Sequence, residues 1–154
     1  MPAPAATTDL YAVPATIDIP YLNRVFLALD HINGDATRLI VANRRITPEA
    51  ANLLRSIHTD DEFVIQAEIW NDDIDRGLTK LKPAPGDLET NVVRLLDRRP
   101  DCVAVEVDRD YSPALVVGKP PVRTIISLVP GGVEPNHTGW VMALEGTKAN
   151  KCAA

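Results

Sequence analysis

The chain has 154 residues, enough for one domain with its own core, since a domain of that size buries roughly 70% of the surface its unfolded chain exposes. Hydrophobic residues make up 45% and charged residues 24%, close to globular averages, which argues against disorder, and no apolar run approaches the ~20 residues of a spanning helix. A net charge of -5 argues against nucleic acid as a partner, because affinity for phosphate backbones rests on accumulated Lys and Arg.

Residues 1–20 read as an extended arm with four prolines and no helical period. The mostly two-residue spacing of Tyr11, Val13, Ile17 and Ile19 suits a strand added to the edge of a sheet. A helix is expected from Pro20, with Leu22, Val25, Phe26, Leu29 and Ile32 as its apolar stripe and Asn33-Gly34 as its end. Arg38 to Ala42 then reads as a strand buried on both faces. Thr47-Pro48-Glu49 starts a second helix that buries Ala50, Leu53, Leu54 and Ile57 and carries His58 in its last turn.

From Glu62 to Trp70 the pattern alternates, with Phe63, Ile65, Ala67 and Ile69 on one side, which predicts a strand. Ile74, Leu78 and Leu81 suggest a short helix within 71–82, and Asp87 caps another through Arg99 with Leu88, Val92, Leu95 and Leu96 inward. Asp101 to Asp108 alternates again, placing Val103, Val105 and Val107 inward. Residues 114–117, 122–129 and 139–144 complete a strand-rich C-terminal third, divided by Pro- and Gly-rich turns.

This order predicts an α/β or α+β domain over residues 21–144: a mixed sheet with helices on its faces, parallel pairing in the first half, antiparallel hairpins near the C-terminus, and a tail from 145 to 154. The acids around Asn71, Asp73 and Asp75 fail as a calcium loop, because Arg76 and Lys82 occupy its two diagnostic positions, so no metal is expected. His31 and His58 each close a predicted helix, where a positive charge suits the dipole. His137, in a loop with acid and hydroxyl neighbours, and Asp60, at the end of a predicted strand, are the candidates for acid–base chemistry. No phosphate loop, nucleophile elbow or dinucleotide fingerprint appears, and no cofactor is expected.

Cys102 and Cys152 show no metal or CxxC spacing, which predicts free thiols in a reducing compartment. MPAPAATTDL lacks the pattern of a secretory signal, so the expected location is the cytoplasm or a virion. Because the two ends lack cores of their own, the leading expectation is a non-enzymatic subunit of a larger assembly, such as a viral particle. Leu10, Tyr11, Val13, Ile17 and Trp140 would contact its neighbours. The alternative is a small soluble enzyme or ligand-binding domain with a pocket near His137.

Overall fold

The computed structural model describes residues 12–147 and 150–153. Its first element, α1, spans Ile19–Asn43. Asp18 caps it by accepting from the Tyr21 amide at 2.9 Å, and Pro20 sits in the first turn, where its missing N–H costs nothing. The helix does not stop at Asn33-Gly34 but continues through the expected strand at 38–42, ending only where Arg44 takes a left-handed φ of 56°. Gly34 lies inside the helix because a Cβ there would overlap the Asp87 carboxylate, which crosses this point to reach Arg38 and His31.

Thr47 caps α2, Pro48–Ile57, and Thr59 caps α3, Asp60–Asp75. The predicted strand at 62–70 is thus helical. Glu62, Phe63, Gln66, Ala67, Trp70, Asp73 and Ile74 form its more buried side at three- and four-residue steps, while Val64, Ile65 and Ile69 are exposed. The short helix expected in 71–82 is only the last turn of α3 followed by turns in which Gly77 and Leu78 take positive φ.

Four strands follow: β1 Glu89–Arg99, β2 Cys102–Asp110, β3 Val122–Pro130 and β4 Trp140–Gly146. They form one sheet in the order β1-β2-β3-β4, and every pairing between them is antiparallel. The domain is therefore α+β with a β-rich C-terminal part; among the described residues the parallel pairing expected for the first half is reduced to one bridge, His58 to Met142, because that half is helical. A helix was expected at 87–99, but β1 forms there. Its register shifts between Val92 and Arg94 and again between Leu95 and Asp97, so extra residues give its apolar positions a spacing that imitates a helix. The strand expected at 114–117 is instead a single 3₁₀ turn, Ser112–Ala114, and one bridge between Leu115 and Leu81.

The core lies between α1 and one face of the sheet. Tyr21, Leu22, Val25, Phe26 and Leu29 of α1 meet Val103, Val105 and Val107 of β2, Ile126 and Leu128 of β3, and Trp140 and Met142 of β4. The Trp140 indole N–H donates to the Tyr21 hydroxyl at 2.8 Å, so burial of the ring strands no polar group. A smaller cluster joins Ala36 and Ile40 of α1 to Ala50 and Leu54 of α2. α1 also covers the outward side of the edge strand: the amides of Thr90 and Val92 donate to Asp30 and Asn23, both at 2.9 Å.

The cysteines are not free thiols. Cys102, at the start of β2, is disulfide-bonded to Cys152, which is buried in a short 3₁₀ turn at Lys151–Ala153, and the Lys151 amide donates to Ser127 at 3.0 Å. The missed pairing has a plain cause: the two residues are 50 apart in sequence and become neighbours only when the tail folds back across the sheet. Closing a loop of this length stabilises the fold by about 4 kcal/mol on chain-entropy grounds. Cys152→Ser is expected to lower the unfolding free energy by about 2–4 kcal/mol, and a reductant should do the same to the wild type but nothing further to the variant; urea titrations of both check this.

Candidate functional site

The inward face of β2 carries Val103, Val105 and Val107, and two residues further on the same alternation places Arg109 there. An arginine at a core position has to find partners, since a buried unpaired charge is very costly. Arg109 is 5% exposed and finds them on three other elements. Nε donates to the Thr90 hydroxyl of β1 at 3.2 Å, Nη1 to Glu145 of β4 at 2.9 Å, and Nη2 lies 3.5 Å from Asp30 of α1. Glu145 faces inward because β4 is bulged. Ile126 pairs with Glu145 and Leu128 with Met142, so one extra residue of β4 separates two inward positions.

Arg109 and Glu145 of this cluster floor a cavity of about 410 Å³ bounded by α1, α3, the sheet and the connection after β2. Around the floor stand His58, Glu62, Gln66 and Tyr111; the walls and mouth are largely apolar, with Ile65, Ile69 and Trp70 of α3 facing Leu81, Leu115 and Val122. Gly86 and Leu88, from the segment that Asp87 ties to α1, close one side.

His58 occupies the corner between α2 and α3, where it bridges to Met142 and the next amide, Thr59, donates to the Met142 carbonyl at 2.9 Å. It ends a helix as expected but is not a charged cap. Burial holds it down to about 4, against the favourable Leu54 carbonyl, so the ring is neutral at pH 7. Nδ1 lies 2.7 Å from that carbonyl and must carry the proton, which makes Nε2 the acceptor nitrogen. Among the described residues no side-chain nitrogen or oxygen sealed from solvent lacks a partner, so the unbonded Nε2 opens onto the cavity that His58 lines.

Burial also raises two carboxylates of this region. Asp30 is pushed up to about 6, although Arg109 and Thr90 favour its charged form. Glu62 is raised by burial, with Gln66 donating to it at 3.2 Å and Glu145 adding repulsion. Tyr111 is raised chiefly by burial and stays a neutral phenol. The floor thus holds acceptors and proton carriers poised by their surroundings, a pattern typical of functional clefts.

The sequence candidates lie elsewhere. His137 is exposed in the β3–β4 connection with Nε2 3.0 Å from Glu134, and Asp60 is exposed in the first turn of α3; neither lines the cavity. Ile17 and Trp140 are buried in this chain's own core, Val13 is 60% exposed, and Leu10 and Tyr11 lie outside the described residues. His31 is not a helix end: it lies within α1, exposed, raised by its hydrogen bond to Asp87 at 2.9 Å. Among the described residues no group of three or more His, Cys, Asp or Glu could hold a metal ion, and no helix is long and apolar enough to cross a membrane.

No known family profile matches the chain, and no curated protein matches it. Among solved structures, a de novo designed β-sheet protein determined by solution NMR aligns over 86% of this chain and 88% of its own, at 16% identity and a TM-score of 0.31. A likeness at that level adds nothing to the reading of the site.

The two buried groups should pull stability in opposite directions with pH. Asp30 has a folded value near 6 against an ordinary 3.8, so the folded state holds the extra proton between these values and stability falls as pH rises through them. His58 has a folded value near 4 against 6.5, so there the unfolded state holds the extra proton and stability rises with pH. Relative to wild type, Asp30→Asn should therefore gain stability between pH 4 and 6.5 and His58→Gln should lose it, each by about 2–3 kcal/mol across the window. Denaturant unfolding across that pH range checks the sign; parallel profiles for both variants would contradict the assignment.

Proposed function

We propose that this protein binds a small molecule with an apolar body in the cavity between α3 and the sheet, with the polar end of the ligand against the floor. One observation carries the reading: a buried histidine presents an unbonded Nε2 to a cavity of about 410 Å³ whose walls are mostly apolar. Ordinary core packing leaves neither such a volume nor such an acceptor. Exposed Ile65 and Ile69, at 45% and 52%, fit the same reading, since a ligand seated in the mouth would cover both. Neutral His58 and the raised Glu62 can each accept a proton from a bound molecule, which gives the site the groups for acid–base chemistry on its ligand. The Cys102–Cys152 bond favours an oxidising compartment over the cytoplasm.

A second reading, a subunit of a larger assembly whose N-terminal segment clamps a neighbour, draws on Val13, which stands exposed four residues ahead of the buried anchor Ile17. The two readings separate in one set of measurements. On the binding reading, the neutral fluorophore N-phenyl-1-naphthylamine titrates to a 1:1 end point. Ile65→Trp/Ile69→Trp weakens it at least about tenfold with folding retained, and deletion of residues 1–16 leaves the solution mass per particle set by a single chain. On the assembly reading, that deletion breaks up a larger particle. Unsaturable fluorescence, or equal titration of wild type and the double variant, would sink the binding reading.

A further inference from the structure

Apart from the Tyr111 hydroxyl, the floor of the cavity is richer in acceptors than in free donors. Two carboxylates, Glu62 and Glu145, line it beside one guanidinium, whose Nε, Nη1 and Nη2 are already engaged with Thr90, Glu145 and, behind the lining, Asp30. The imbalance is not made up elsewhere, because Lys119 and Asp73, also in the lining, offset one another. His58, 7% exposed, adds a lone pair at Nε2, and the Gln66 amide turns a donor toward Glu62 rather than leaving it for a ligand. An anion entering this site would meet uncompensated negative charge at reduced dielectric, whereas a cation would meet unfilled acceptors.

We propose that the cavity selects molecules in which a protonated amine is carried on an apolar body, the ammonium bonding to Glu62 and to Nε2 of His58 while the body lies against Ile65, Ile69, Trp70 and Leu115. This rests on the ligand-pocket reading above and adds the chemical class of the ligand. An ammonium supplies three donors and needs no acceptor in return, which matches the floor; a carboxylate or phosphate supplies the reverse. The apolar side of α3 further along, at Ile65, Ile69 and Trp70, leaves room for the body.

The test is a matched trio of one size: cyclohexylmethylamine, cyclohexylmethanol and cyclohexanecarboxylic acid, each titrated by calorimetry and by NMR shifts at pH 7 into wild type, Glu62→Gln and His58→Gln. The expected order in wild type is amine, then alcohol, then acid, with the amine at least about tenfold tighter than the acid. Glu62→Gln should erase the advantage of the amine over the alcohol while leaving the alcohol within about twofold of its wild-type affinity, a result that loss of folding could not produce. Acid binding as tight as amine binding overturns the charge selection but leaves the pocket reading standing. Failure of all three to shift any resonance of a cavity residue overturns both.

Discussion

An arginine placed where the alternation of β2 demands a core residue is the constraint on which the rest of this structure depends. Arg109 follows Val103, Val105 and Val107 on the same face, so the strand cannot pack without burying a guanidinium. Desolvation of such a group costs several kcal/mol unless partners meet it, and the partners come from α1, β1 and β4 rather than from solvent. Asp30 in turn holds the Thr90 amide, which ties α1 to the edge strand. One buried charge therefore sets the position of the longest helix, the edge of the sheet and the bulge that turns Glu145 inward.

The same constraint shapes the cavity. Apolar packing cannot close over a cluster of one guanidinium and two carboxylates, and α3 stands over it with Glu62 and Gln66 on its inner side. That leaves Val64 exposed and Ile65 and Ile69 uncovered at the mouth of the cavity, an arrangement that sacrifices apolar burial along one helix. His58, packed at the corner beneath, stays neutral chiefly because burial disfavours its charge, with Arg109 adding repulsion. Ligand recognition and fold stability thus draw on one set of residues, as when local packing rules are broken at functional sites.

The strands β2, β3 and β4 were legible from sequence, because the alternation of Val103, Val105 and Val107 marks β2 and the turn around Pro130-Gly131-Gly132 separates β3 from β4. Three features misled, each for a physical reason. Gly34 reads as a helix end, yet it is required inside α1 so that Asp87 can pass. The alternation of Phe63, Ile65, Ala67 and Ile69 reads as a strand because the polar inner face of α3 follows the cavity instead of a core. The bulges of β1 give its apolar residues helical spacing. The site itself left two readable signals: extending the β2 alternation one further step reaches Arg109, and Thr59 with Glu62 three residues later is the capping pair of a helix N-terminus, not the start of a strand. Glu145, the open face of His58 and the Cys102–Cys152 pairing depend on a bulge and on contacts distant in sequence, so no local pattern announces them.

The account's central claim is that Arg109 and its carboxylates form one buried unit that organises the domain. Equilibrium unfolding of Arg109→Met beside the triple variant D30N/R109M/E145Q tests it most directly. Removing the guanidinium alone should cost about 3–5 kcal/mol by leaving buried carboxylates unpaired, and neutralising both partners should recover most of that loss. A single variant within about 1 kcal/mol of wild type, or a triple variant no more stable than the single one, would contradict the account.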